Sequence, residues 1–315
     1  MGRLTGKVAI VTGAGRGIGR GEALALAAQG AAVVVNDIGG SLNGKGREER
    51  VAIAVSEEIE AAGGTACPNF DNVAEPAGAE QLVQQAIDTF GRLDILVNNA
   101  GILRDGMVFN AEPTQWESVI DVHLKGHFLP THYATAHWRQ RSKSGDTTHR
   151  AIVNTSSESG LFGNAGQTNY DAAKMGIASF TMAVAAECHK YGVTCNAIAP
   201  RARTRMTTST FEGTSRASEF DTPERHAFDP MDPDNIGPFV AFLATDEAAE
   251  ITGQTFVVWG GIIAHVRMPY VADVIEKAGR WTVGELVEQQ NGLFKEVGRS
   301  QFEGPRGHAR LPRQL

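Results

Sequence analysis

Two early runs, Lys7–Thr12 and Ala32–Asp37, are rich in β-branched residues and stay apolar instead of alternating with polar positions. Strands of that kind belong in a sheet covered on both faces. Between them Gly17–Gln29 is dense in alanine and leucine and predicts a helix. The alternation continues with a helix near Glu49–Ala62, a strand near Thr65–Phe70, a helix over Ala77–Phe90 and a strand at Leu93–Val97. A long helix over about Thr114–Arg141, a strand at Ala151–Thr155, a helix over Asn169–Tyr191 and a strand at Thr194–Ala199 come next. A helix at Pro233–Ala244 and a strand at Gln254–Trp259 complete the pattern. Such regular alternation predicts a Rossmann-like α/β fold: a doubly wound parallel sheet of about seven strands with helices on both faces.

Three polar stretches interrupt it: Gly39–Gly46, Ser142–His149 and a Thr-, Ser-, Asp- and Pro-rich segment over about 201–233. The last reads as a lid or substrate loop. After residue 264 the βα period fades, so residues 1–264 read as the nucleotide-binding domain and 265–315 as a C-terminal extension. That extension carries two weak helical stretches, Tyr270–Lys277 and Thr282–Gln289. It offers Tyr270, Trp281 and Phe294 as anchors against the same domain or a partner subunit.

Composition narrows the function. With 42% hydrophobic residues, the 315-residue chain can fill a large core. Its 36 glycines follow no repeat, so they read as tight turns and close backbone approaches. A net charge of −7 argues against a nucleic-acid partner. No apolar run reaches about 18 residues, so no membrane span is expected. The first strand begins too early to leave room for a secretion signal. Three cysteines without paired spacing suggest reduced thiols in a cytoplasmic protein and no metal site.

The turn Thr12-Gly13-Ala14-Gly15-Arg16-Gly17-Ile18-Gly19 lies between the first strand and the first helix. Glycines there let the backbone approach a pyrophosphate, and the helix N-terminus supplies free N–H groups. Asp37 follows about 20 residues on, where a carboxylate accepts hydrogen bonds from ribose hydroxyls and repels a 2′-phosphate. Arg16 pulls the other way, because an arginine in this turn can meet a phosphate. NAD is favoured over NADP. Asn98-Asn99-Ala100-Gly101 ends the fourth strand, at the edge where ligands bind. Tyr170 and Lys174 are four apart and share a helix face. An ammonium there lowers the phenol pKa toward neutrality and suits the tyrosine to acid/base work at an alcohol oxygen. Ser157, at the end of the preceding strand, can bind the same oxygen.

These residues together resemble the short-chain dehydrogenase/reductase family over roughly residues 5–262. The resemblance implies Tyr170 as catalytic acid/base, Lys174 as the group that lowers its pKa and holds the nicotinamide ribose, and Ser157 as the residue that orients substrate. It implies cofactor contacts from Gly13, Arg16, Gly17, Ile18 and Gly19 of the turn, and from Asp37. Asp71 with its neighbour Asn72 would lie at the adenine, and Asn98, Ala100 and Gly101 would support the site. Pro200, in Ile198-Ala199-Pro200, would close over the nicotinamide. One position departs from the pattern: His123 stands where most members carry an asparagine that supports a water relay to the lysine.

Within the family, Val122-His123-Leu124-Lys125-Gly126 and Ala199-Pro200-Arg201-Ala202-Arg203-Thr204-Arg205-Met206 are similar to one group. This group is the dehydrogenase domain of the type 2 multifunctional β-oxidation enzymes. It implies NAD-dependent oxidation of a (3R)-3-hydroxyacyl-CoA, with a steroid side chain or other bulky acyl group as substrate. Arg104, Arg203 and Arg205 are candidates for CoA phosphates. Alternatives are a 17β-hydroxysteroid dehydrogenase on free steroid, an NADPH-dependent 3-oxoacyl thioester reductase, and an NAD-sensing protein without turnover. The family also implies a homodimer or homotetramer paired through the two long helices. The chain ends Pro312-Arg313-Gln314-Leu315, without a peroxisomal signal.

Overall fold

A computed structural model describes residues 2–211, 228–267, 269 and 271–294. The chain separates into two compact units, Met1–His265 and Val266–Leu315.

The first unit is built on an eight-stranded sheet of order β3-β2-β1-β4-β5-β6-β7-β8. Its strands are β1 (Val8–Thr12), β2 (Ala32–Asn36), β3 (Thr65–Asn69), β4 (Ile95–Asn98), β5 (Arg150–Thr155), β6 (Val193–Pro200), β7 (Thr255–Trp259) and β8 (Ile262–Val266). The strands from β3 to β7 pair in parallel, with Val8 opposite Ala32 and Ala9 opposite Ile95. β8 is one strand more than the sequence pattern predicts. It turns back from β7 through Gly260-Gly261, with Gly260 at φ 50°, and a two-residue turn makes it antiparallel. Its residues are half-buried and exposed by turns, a short edge strand with little hydrophobic signal.

Helices cover both faces. α1 (Gly17–Ala28) and α2 (Arg50–Ala61) lie on one side, and α3 (Pro76–Phe90) on the other. α3 begins at Pro76 and stops at Gly91, whose φ of 81° is the left-handed cap that glycine adopts without strain. α4 (Pro113–Ile120) starts on a capping box between Glu112 and Gln115.

The expected single helix over 114–141 is not uniform. α4 passes through a π turn at Asp121–Lys125 into α5 (Gly126–Lys143), which holds Pro130 in its interior. Pro130 brings no N–H to the ladder. The wide turn just before it carries His123 into the interior, as π turns often do near functional sites. α6 (Glu158–Phe162) is a five-residue helix that the sequence pattern does not announce. α7 (Thr168–Cys188), α8 (Arg205–Phe211) and α9 (Gly237–Leu243) complete the first unit.

One core layer packs Leu26, Val55, Ile59 and Phe239 on the sheet, and the other packs Leu82, Trp138, Ile152 and Val184. Trp138 is fully buried and its indole N–H donates to the Leu93 carbonyl at 2.7 Å. Cys67, Cys188 and Cys195 are all free.

In the second unit, α10 (Val283–Gln289) is capped by Thr282 and Glu285. The described residues over 271–277 form no regular element, against the expected helix there. Lys277 sits 5.3 Å from the Trp281 ring, Phe294 is partly exposed, and Tyr270 lies outside the described residues. Of the expected lid over 201–233, residues 212–227 lie outside them too. No helix among the described residues is long and apolar enough to cross a membrane.

Candidate active site

The carboxyl ends of β1, β2, β4, β5 and β6 open onto one cavity of about 440 Å3. Crevices at the carboxyl ends of parallel strands are where ligands enter this architecture. The structure brings every predicted catalytic and cofactor residue except Asn98 to the wall of this cavity. Asn98 is fully buried inside the sheet instead, where its amide donates to Thr131 at 3.0 Å and to Asn154 at 2.9 Å. As the last residue of β4, it turns its side chain to the helix layer and away from the ligand edge.

Asn99, which the motif reading passed over, does the work at the edge. Its side-chain amide donates to the carbonyls of Thr12 (3.0 Å) and Gly13 (3.1 Å), stapling β4 to the glycine turn. Thr12 Oγ1 returns the tie by accepting the N–H groups of Asn99 and Ala100. Gly13 and Gly17 adopt φ values of 64° and 54°. A Cβ on Gly13 would strike the Ala100 backbone, and one on Gly17 would project toward Thr204 at the cavity wall. The turn is thus a cradle with bare backbone facing the cavity, at the N-terminus of α1.

Asp37 is anchored twice: one carboxylate oxygen accepts the N–H of Gly15 at 2.9 Å, the other that of Gly39 at 2.6 Å. Arg16 is turned to Glu48, which its guanidinium meets at 2.5 Å. Asp71 accepts from Asn69 at 2.7 Å, and the Asn72 side chain accepts the N–H of Ala74. Leu42 of the polar loop after β2 accepts the N–H of Leu103 at 3.0 Å, so that loop straps the cavity. Of the arginines offered for phosphates, Arg203 is ion-paired with Asp229. Arg205 is exposed at the wall of this cavity, and Arg104 lines a smaller neighbouring one.

At the other end of the cavity stand Ser157, Tyr170, Lys174 and His123. Lys174 is buried; its ammonium lies 5.5 Å from the Tyr170 ring and donates to the Thr155 carbonyl at 2.6 Å. Burial pushes its pKa down to about 7, against the pull of Glu22. The Tyr170 phenol moves opposite to the expected direction. Burial drives it up to about 12, the neighbouring Ser157 hydroxyl lowers it, and Asp105 and Asp171 raise it. A shared helix face reveals that Lys174 is near, but not that burial raises the phenol pKa.

His123 packs edge-on against Tyr170 with ring centroids 5.1 Å apart. Its Nε2 meets the Ile102 backbone, and burial holds its pKa well below the usual value, so it is neutral at pH 7. The ring lies where a side chain on Gly101 would have to go. His123 Nδ1 and Thr155 Oγ1 are buried on this wall without a protein partner. With the bare glycine cradle and the tethered carboxylate at the far end, they make a wall that fits a nicotinamide dinucleotide. Among the described residues no cluster of His, Cys, Asp and Glu is gathered as a metal ion requires.

The sequence profile of the short chain dehydrogenases matches residues 7–215. The chain belongs to the short-chain dehydrogenase/reductase family. It is therefore an oxidoreductase acting on CH–OH groups, of a family that uses NAD(P). A hydroxyacyl-CoA dehydrogenase, ChsB1, of Mycobacterium tuberculosis is 43% identical over 92% of this chain and 89% of its own length. The mouse peroxisomal multifunctional enzyme type 2 is 40% identical over 84% of this chain, which spans only 33% of that longer protein. A 3-oxoacyl-[acyl-carrier-protein] reductase of Synechocystis is 41% identical over 84% of this chain and 99% of its own. The crystal structure of a short chain dehydrogenase from Mycobacterium avium superposes with a TM-score of 0.81. It shares 47% identity and covers 93% of this chain and 96% of its own.

Proposed function

We propose that this enzyme oxidises the C3 hydroxyl of a (3R)-3-hydroxyacyl-CoA with NAD. One arrangement carries the reading: Ser157, Tyr170 and Lys174 stand together at one end of the cavity, and the tethered Asp37 stands at the other. The similarity to a hydroxyacyl-CoA dehydrogenase over nearly its whole length supports the substrate class.

In this reading Tyr170, as phenolate, accepts the proton of the C3 hydroxyl. Ser157 donates a hydrogen bond to the same oxygen as it becomes a carbonyl. Lys174, held by Thr155, supplies positive charge beside Tyr170 whenever its ammonium carries the proton. The bound dinucleotide supplies the hydride acceptor. His123 stays neutral and fixes the Tyr170 ring from its edge. For the choice of cofactor, Asp37 opposes a 2′-phosphate, and Glu48 occupies the guanidinium of Arg16 that would bind one.

A second reading, reduction of a 3-oxoacyl thioester with NADPH, draws on the Synechocystis relative. Initial rates with NAD and NADP on (3R)- and (3S)-3-hydroxyacyl-CoA, an acyl-carrier-protein thioester and a free 17β-hydroxysteroid separate the two. We expect turnover with NAD and the (3R)-CoA thioester. Preference for NADP and the carrier-protein thioester supports the second reading, and turnover of the free steroid alone overturns both.

A further inference from the structure

We infer that Glu158 and Arg201 are a positioning pair that holds the Ser157 turn in register with the end of β6. Ser157 is thereby set for Tyr170. The inference rests on the reading of Ser157 and Tyr170 given above.

Ser157 is the N-cap of α6, its Oγ accepting the N–H of Ser159 at 3.2 Å. That helix is only five residues long, buries none of them, and ends at Gly163 with φ 77°. A helix so short cannot hold its own first turn by packing. The turn is instead gripped just behind Ser157. The Glu158 carboxylate accepts Nε of Arg201 at 2.9 Å and Nη2 at 2.7 Å, a bidentate pair with each side chain 16% exposed. Planar two-point pairing of this kind fixes orientation as well as distance.

Arg201 is itself immobilised. Its backbone N–H donates to Val258 at 2.9 Å, and its guanidinium lies 4.5 Å from the ring of buried Trp259. It directly follows Pro200, which lines the cavity, as Glu158 directly follows Ser157. Two neighbouring wall residues are thus locked by the residues behind them. Neither Glu158 nor Arg201 is among the described residues that line the cavity, so their proposed action is on Ser157 and not on substrate.

The readout that separates positioning from plain stability is the ionisation of Tyr170, whose pKa the neighbouring Ser157 hydroxyl lowers. The charged and titratable groups around Tyr170 are Lys174 on α7, His123 on the π turn, Asp171 on α7 and Asp105 after β4.

The test uses Glu158→Gln, Arg201→Lys, Ser157→Ala and the double variants, on whichever alcohol the wild type oxidises. We expect E158Q to lower kcat about ten- to a hundredfold. It should leave the cofactor Kd unchanged and move the rising limb of the kcat–pH profile upward. In the S157A background the same change should cost less than about twofold, because residues acting as a unit are non-additive. R201K should follow E158Q, since lysine restores neither the fork nor the ring contact. Glu158→Asp should recover part of the rate. An unchanged kcat and pH limb in E158Q overturns the inference, as does an equal loss in wild-type and S157A backgrounds. S157A with wild-type turnover overturns the reading of the site instead. If E158Q does not fold, R201K gives the same comparison.

Discussion

Glu22 is the residue whose replacement says most about this interior. It lies on the sheet-facing side of α1, fully buried, and neither carboxylate oxygen has a protein partner. Burial raises its pKa from 4.5 to about 8, with Lys174 pulling the other way. The folded protein therefore holds a proton on Glu22 between those values that the unfolded chain has released. Its stability is fully present below pH 4.5 and falls as pH rises toward 8. Each pH unit in that window costs about 1.4 kcal/mol, so the whole interval costs at most about 5 kcal/mol. Glu22→Gln keeps the shape of the protonated acid and removes the titration. Urea denaturation of both proteins at pH 5 and pH 8.5 measures the difference. At pH 5 the two should agree within about 1 kcal/mol, an acid and an amide being equally neutral. At pH 8.5 the glutamine variant should be more stable by about 3–5 kcal/mol. A gain of the same size at both pH values, or none at pH 8.5, refutes the argument, because only an ionising group makes the difference depend on pH.

Tyr170→Phe should lower turnover at least a hundredfold while cofactor affinity, measured by calorimetric titration, changes little. Retained turnover removes Tyr170 from the proton step. Glu48→Gln frees Arg16; because the pair is exposed, NADP affinity should rise by no more than about fivefold. A fall in NADP affinity counts against the pairing. Trp138→Ala empties a fully buried site and strands the Leu93 carbonyl, so it should cost about 3–5 kcal/mol by urea denaturation. A loss under about 1 kcal/mol would show that the layer under β4 collapses around the gap.

The features legible in the sequence were those that the chain repeats or places close together. Apolar runs identified β1, β2, β4, β5 and β6, and the spacing of Tyr170 and Lys174 set them on one face of α7. The glycine turn and Asp37 are local features of a strand–turn–helix unit, and both reached the cavity wall. Contacts between distant segments were not legible. Glu158 and Arg201 are 43 positions apart, and no spacing rule connects them. Asn98 and Asn99 look alike in sequence, yet strand alternation sends one into the helix layer and leaves the other to staple the glycine turn. The π turn changes which face of the long helix points inward, so a 3.6-residue period run through it misplaces the residues of α5. Glu22 was legible in principle. It shares the spacing of Gly19, Ala23 and Leu26, all buried, so a charged residue there sits on the wrong side of an amphipathic helix.

Glu22 ties these observations to the chemistry. Its carboxylate lies under α1, in the layer opposite α7, yet it raises the pKa of Lys174 through the sheet. Lys174 is held near 7 by burial, so small changes in the field around it alter its charge within the working pH range. Where Glu22 is ionised, from about pH 8 upward, removing it relieves the fold of a buried charge and at the same time lowers the lysine pKa further. Stability and the charge on Lys174 are therefore opposed at this position. A protein selected for stability alone would fill the space under the glycine turn with an apolar side chain. Below about pH 8 the protonated Glu22 carries no charge, so Glu22→Gln should leave the charge on Lys174 unchanged at neutral pH and alter it only where the acid ionises.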